Sequence, residues 1–228
     1  MPIDDRIRRV LERIGQAEER SGRPPGSVVL LAASKTRPVE VLQEAWKAGI
    51  RRFGENRVQE LVAKAPHLPE AEWHMIGRLQ RNKARRAVNS AELIHSLDSP
   101  SLAETLDRLG RERSRPVHAL VEVNLGGEAA KGGIAPQDLP AFLQTLAGRD
   151  GLQIQGLMAI PPPGRTAEDS RAHFRSLADL ARAAAERRLP GVEMKHLSMG
   201  MSADYVVAIE EGATIVRLGT EVFGPRTP

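Results

Sequence analysis

A chain of 228 residues, 41% hydrophobic and 27% charged, has room for one large α/β domain or two small ones and enough apolar material for a sizeable core. A formal net charge of +4 and a pI of about 9.8 suit an anionic partner, either a phosphate-bearing small molecule or a nucleic acid. The lack of any cysteine excludes disulfides, thiolate nucleophiles and cysteine-held metals, and six histidines with no i,i+4 pair and no H-x-E pattern give no metal site.

The opening stretch MPIDDRIRRVLERIG lacks the apolar centre of a secretory signal, and no apolar run approaches the roughly 18 to 20 residues that cross a bilayer. A cytoplasmic protein is expected. Ile3, Ile7, Val10, Leu11 and Ile14 share one face of an amphipathic helix. β-rich and helical runs then alternate to the end. The predicted strands are VVLLAA (28–33), IRRF (50–53), WHMI (73–76), ELIHSL (92–97), VHALVEVNL (117–125), LQIQGLMAI (152–160), VEMKHLS (192–198) and TIVRLG (214–219). Between them, Leu42, Ala45, Trp46 and Gly49 line one helical face, and Leu102, Leu106 and Leu109 another. Thr36 and Ser99 read as N-caps with Pro38 and Pro100 in the first turn, and Pro136 and Pro140 bracket the entry to the next helix.

Eight strand-plus-helix units, with no long linker and no break in composition, predict a single (β/α)8 TIM barrel over residues 1–228. An open doubly wound sheet is the weaker alternative, because no G-x-G-x-x-G follows the first strand. The last helix, from about Glu221, is short, so the N-terminal helix (1–22) is expected to cover that part of the barrel.

TIM barrels place their working residues at the C-terminal ends of the strands, and Lys35 in LLAASKTRP stands there on the first. A lysine at that position is either a solvated charge or a partly desolvated amine able to attack a carbonyl. HLSMGMSADY (196–205) and VRLGTEVFG (216–224) follow strands seven and eight, where such barrels often bind phosphate, and Ser198, Gly200, Ser202, Gly219 and Thr220 supply hydroxyls and approachable backbone. The bland alternative is that the glycines turn the chain and the hydroxyls cap helices. A lysine and a phosphate cradle at one mouth suit a phosphorylated aldehyde, pyridoxal 5'-phosphate (PLP). Arg217 would then lie near the pyridine nitrogen and keep it unprotonated, or else form an ion pair with a carboxylate such as Glu122. His74 and His196 read as hydrogen-bonded core residues, and Met158, Met199 and Met201 as packing around the mouth. GRLQRNKARRAVNS (77–90), with Arg78, Arg81, Lys83, Arg85 and Arg86, reads as a solvated basic helix face, since aromatics at 3% leave few stacking platforms for nucleic acid.

ASKT around Lys35, FGENRVQE (53–60), WHMIGRLQRNK (73–83), VEVNL followed by Lys131 and Gly133, GLMAI (156–160), HLSMGMS and VRLGTEVFG together resemble the YggS/PROSC group, the pyridoxal phosphate homeostasis proteins. The resemblance runs in order from about residue 28 to 226. It implies a barrel similar to the N-terminal domain of bacterial alanine racemases, with the cofactor held as an internal aldimine on Lys35. By the same resemblance Ser198, Gly219 and Thr220 hold the phosphate, with Gly200 in the same loop, Arg217 faces the pyridine nitrogen, and Asn56 lies near the ring.

The resemblance also implies a carrier or regulator of the intracellular cofactor pool, without catalytic residues, partnered by PLP and by apo forms of PLP-dependent enzymes. No nucleic acid or membrane is expected, and the chain is expected to be a monomer. Racemases of this architecture need a second acid/base group from an added β-domain, which a chain ending at Pro228 with Tyr205 as its only tyrosine is expected to lack. The alternative is a racemase or lyase of low activity. Arg57 in place of an aromatic, the extra basic residues Arg78 and Arg81, and Ala203 in place of an acid depart from the family pattern.

Overall fold

A parallel strand covered on both faces reads as a continuous apolar run, and LIHSL (Leu93–Leu97) is buried at every position. Seven other strands join it in a closed barrel whose order follows the chain, every neighbouring pair parallel. The computed structural model describes residues 1–127 and 132–225. They run α1 (Ile3–Arg20), β1 (Val29–Ala33), α2 (Val39–Lys47), β2 (Arg52–Glu55), α3 (Val58–Lys64), β3 (Glu72–Met75), α4 (Ala84–Val88), β4 (Leu93–Leu97), α5 (Pro100–Glu112), β5 (Val117–Glu122), α6 (Leu139–Leu146), β6 (Leu152–Met158), α7 (Arg171–Glu186), β7 (Val192–Ser198), α8 (Tyr205–Glu210), β8 (Ile215–Leu218) and α9 (Thr220–Phe223). The predicted TIM barrel is therefore the observed fold. The fifth strand ends early, at Glu122; Val123 still donates to the Met158 carbonyl at 2.8 Å and also forms a single bridge with Ile134.

Two apolar layers hold the barrel. The larger lies between sheet and helices, where the one-sided stripes Leu102, Leu106 and Leu109 of α5 and Phe174, Leu177 and Ala181 of α7 meet the outer faces of the strands. The smaller fills the barrel itself with Leu31, Leu93, Leu120, Met158 and Ile215. Strand alternation puts residues two apart on the same face, so the neighbours of this inner layer are polar: His95 follows Leu93, and Arg217 follows Ile215, both buried.

α1 packs on α8 and α9, the short helices at the end of the chain. Its stripe of Ile7, Val10, Ile14 and Ala17 is buried, and Arg23, just beyond it, donates to the carbonyls of Ile209 and Ala213 at 3.2 and 2.6 Å. The buried Glu18 carboxylate accepts from the backbone of Gly26 and Val28 at 3.0 and 2.7 Å, which fixes the entry to β1. Thr36 is not a helix cap. α2 starts after Pro38, and Thr36 itself has φ 64°, in the left-handed region. Ser99 does occupy the N-cap position of α5, but its side chain makes no capping hydrogen bond. Among the described residues no helix is long and apolar enough to cross a membrane, and no group of three or more His, Asp or Glu is placed to hold a metal ion.

Candidate functional site at the C-terminal mouth of the barrel

β1 carries its apolar face as far as Ala33 and then turns out of the barrel, leaving Lys35 half-buried at the rim. The turn is held from below. Lys64, on α3, reaches under it and donates to the Ser34 carbonyl at 3.0 Å and to Glu55 Oε1 and Glu60 Oε2, both at 2.8 Å. Ser34 Oγ donates to the same Glu55 oxygen at 2.7 Å, and Glu60 Oε2 accepts the Thr36 amide at 2.7 Å, which secures the left-handed Thr36. Glu55 is fully buried, and burial pushes its carboxyl above the usual range despite the bonds from Lys64 and Ser34.

Opposite, β7 runs into the 199–204 loop, which Asp204 pins by accepting from the Met201 amide at 2.7 Å and from Ser170 Oγ at 3.0 Å. Gly200 has φ 90°, and a Cβ there would sit 2.6 Å from Ala208 Cβ and 3.0 Å from Tyr205 Cα, so no other residue fits. Its carbonyl accepts the Arg217 amide at 3.0 Å, which ties the loop to β8. Replacing Gly200 with alanine is expected to cost about 1–3 kcal/mol through this overlap and the backbone strain. Urea unfolding checks this; an unchanged midpoint would show that the loop can move aside freely.

Between these walls lies a cavity of about 310 Å³, lined by Ala33, Lys35, Arg37, Met201, Ser202, Ala203, Arg217, Gly219 and Thr220. The lining holds three cationic side chains and no carboxylate, and its volume is at the small end of the roughly 300–1,000 Å³ typical of small-molecule sites. Arg37 is steadied by the carbonyls of Gly224 and Pro225. Arg217 forms the floor, buried, its Nη1 donating to Ser198 Oγ and O at 2.6 and 2.7 Å and its Nη2 to the Ala159 carbonyl at 2.9 Å. Burial brings its pKa down to about 10, opposed by the charges of Glu122 and Asp204. Glu122 thus acts on Arg217 through its field, while Ser198 and Ala159 are the direct partners.

Lys35, Arg217, Gly219 and Thr220 are therefore brought together as the sequence reading expects, with Ser202 of the same loop. Ser198 lies beneath the cavity, fully buried against Arg217 and His95, and Gly200 is buried in the loop. Asn56 is exposed at the end of β2, outside the lining, and Lys131 lies outside the described residues. Arg37, the second cation of SKTRP, also lines the cavity and is not among the expected site residues, while Lys64, Glu55 and His95 carry no local signal.

A family model for the N-terminal domain of alanine racemase matches residues 7–227. The chain belongs to this family. It is 46% identical over 224 residues to the pyridoxal phosphate homeostasis protein of Aquifex aeolicus, covering 97% of both chains. Among solved structures, an unknown protein from Bifidobacterium adolescentis superposes with a TM-score of 0.91 at 38% identity, covering 96% of this chain and 94% of that one. PipY of Synechococcus elongatus with PLP bound has a TM-score of 0.81 at 44% identity, covering 94% of this chain and all (100%) of that one. Family membership extends over both walls of the cavity and its floor.

The opposite, N-terminal mouth is also polar. Its cavity of about 390 Å³ is lined by residues including Arg52, Glu72, His74, His118 and His196. His74 Nε2 lies 2.8 Å from Glu72 Oε1, and Arg52 Nε donates to the other carboxylate oxygen at 2.7 Å. The hydrogen bond to His74 is the main cause that holds the Glu72 carboxyl down at about 2. A depressed acid stabilises the fold above its unfolded pKa and loses that contribution as the pH falls through the folded one. Glu72→Gln is therefore expected to flatten the fall in melting temperature between about pH 4.5 and about pH 2. Parallel acid limbs in the two proteins would refute it.

Proposed function

We propose that the C-terminal mouth holds pyridoxal 5'-phosphate and that the chain works in intracellular cofactor homeostasis, as a carrier or regulator. Lys35 would supply the amine facing the cofactor's aldehyde. Arg37, Ser202, the Gly219 backbone and Thr220 form the phosphate end of the site, and Arg217 presents a cationic donor to the pyridine nitrogen. The cofactor supplies an electrophilic carbonyl and a conjugated ring that can take up negative charge. A fixed guanidinium at the ring nitrogen disfavours a second positive charge there, which weakens that sink. The residues fit the group: an anion, an aldehyde and a ring nitrogen meet cations, an amine and a donor inside a cavity of suitable size.

The observation that carries the reading is the composition of the lining. Besides the Lys35 amine and the two guanidinium groups, the described lining residues carry no Asp, Glu, His or Tyr side chain. Tyr205 is buried beneath Arg13 of α1, 5.2 Å from its guanidinium carbon to the ring centroid, and burial raises its phenol pKa. Among the described lining residues two-base chemistry at a carbon centre therefore has one candidate base and no partner. A cytoplasmic, monomeric carrier that passes cofactor to apoenzymes is consistent with these features. A racemase or lyase using Lys35 alone is the second reading.

The test is to load the chain with PLP, reduce it with borohydride and map the modified peptide, then assay turnover of amino acids and transfer of cofactor to an apoenzyme. The expected outcome is modification at Lys35, transfer, and negligible turnover. Sustained turnover would favour the racemase or lyase reading; modification at another lysine would remove Lys35 from the site.

A further inference from the structure

A line of hydrogen bonds crosses the barrel from one mouth to the other. Glu72 Oε1 lies 2.8 Å from His74 Nε2, His74 Nδ1 lies 2.9 Å from His95 Nε2, His95 Nδ1 lies 2.9 Å from Ser198 Oγ, and Ser198 Oγ accepts from Arg217 at 2.6 Å. All of these groups except Glu72 are buried, and they come from β3, β4, β7 and β8. We propose that His74 and His95 are positioning residues of the candidate site: they form a directional relay that couples the N-terminal mouth to Ser198 and Arg217 at the floor of the C-terminal cavity. The inference rests on the reading of the C-terminal mouth as a PLP site.

Donor counting sets the direction. A hydroxyl has one hydrogen, and the Arg217 guanidinium can only donate. At the other end the Glu72 carboxylate can only accept. With neutral rings His74 must therefore donate to it from Nε2 and accept at Nδ1, and His95 must donate from Nε2 and accept at Nδ1. There His95 takes the Ser198 hydrogen, while Ser198 Oγ accepts from Arg217. With both imidazoles neutral, every link has one donor and one acceptor. Burial, with the neighbouring His74 and Arg217, holds His95 well below the usual histidine range, in keeping with a neutral ring.

A second arrangement holds one proton more, taken from solvent. His74 then carries hydrogens on both nitrogens, donating to Glu72 and to His95 Nε2, and His95 takes the Nδ1–H form and donates to Ser198. The Ser198 hydroxyl now accepts from both His95 and Arg217, and its hydrogen turns away from His95. Proton uptake near the N-terminal mouth thereby changes the hydroxyl that orients Arg217. The charged and titratable groups facing His74 are Glu72 on its own strand, Arg52 on β2, Glu92 and His95 at β4, His118 on β5 and His196 on β7, with Lys195 outside. His196 Nδ1 is buried without a partner, so it does not complete a competing chain.

The experiment has two parts. Imidazole 15N spectra of the cofactor-free chain at neutral pH are expected to show His95 as the Nε2–H tautomer, and Glu72→Gln, whose amide can donate as well as accept, is expected to release that preference. An Nδ1–H tautomer, or a ring indifferent to Glu72→Gln, would overturn the relay. In the PLP-loaded chain, His95→Leu is expected to move the pH midpoint of the visible absorption band by about one unit, and His95→Gln, whose amide can both accept from Ser198 and donate to His74, to restore most of it. Equal behaviour of the two variants, whether both shift or neither does, would also overturn it. Absence of any band in the unmutated chain would instead sink the reading of the C-terminal mouth, and the tautomer spectra, which need no cofactor, would still decide the relay.

Discussion

Lys35→Ala is expected to abolish covalent capture of PLP while leaving the fold intact. Among the described residues no hydrogen bond passes through the Lys35 amine; the turn around it is held by Ser34 and Thr36, through Lys64 and Glu60. Truncating a half-buried side chain that supports nothing costs little, within about 0.5 kcal/mol for such positions. Binding is another matter. The cationic contacts of Arg37 and Arg217 remain in the variant, so residual affinity for the phosphate and ring is expected, reduced at least about a hundredfold, or about 2.7 kcal/mol. The visible band of the lysine-bound cofactor should vanish, while free PLP quenches intrinsic fluorescence only at much higher concentration. A variant that keeps the band would mean another lysine is the attachment point, and the assignment of the first strand's exit would fail. A variant that loses the band by unfolding is distinguished by its melting temperature.

Much of this site could be read in the sequence, for a physical reason. Parallel barrel strands are covered on both faces, so they appear as apolar runs, and barrel topology then dictates which ends meet at the C-terminal mouth. That reasoning places Lys35, Gly219 and Thr220 at one mouth, where all three line the same cavity. β2 was placed two residues early because Ile50 extends its apolar run, whereas Ile50 packs in the outer layer and the strand is Arg52–Glu55. Thr36 reads as a cap because a hydroxyl before Arg-Pro is a common helix entry, whereas its amide is held by Glu60, which nothing nearby in the sequence reveals. The relay was invisible for a deeper reason. His74, His95, Ser198 and Arg217 are scattered along the chain, each alone looks like a core polar residue, and only closure of the barrel makes them adjacent.

The largest loss of stability is expected from Lys64→Ala. The ammonium and the Glu55 carboxylate it bonds at 2.8 Å are both buried, with side-chain exposures of 9% and 0%. Removing the lysine leaves a carboxylate inside the protein with, among the described residues, only Ser34 Oγ as donor, and breaking such a pair from one side costs about 3–5 kcal/mol. Glu55 already has a raised pKa from burial, and loss of the cation raises it further. A raised acid is penalised most where it must ionise or hold a proton against the solvent, so the deficit should be full at neutral pH and shrink as the pH falls below the variant's folded pKa. Urea unfolding at neutral and mildly acidic pH measures both the size and the sign. The double variant Lys64→Met, Glu55→Gln removes both charges and should recover a large part of the loss. A deficit under about 1 kcal/mol, or one that does not change with pH, would show that water reaches Glu55 and that the pair is not the support of the Lys35 turn. If the deficit appears as expected, PLP affinity should fall with it, because the left-handed Thr36 and the carbonyl of Ser34 lose the ammonium that orders them beneath the reactive lysine.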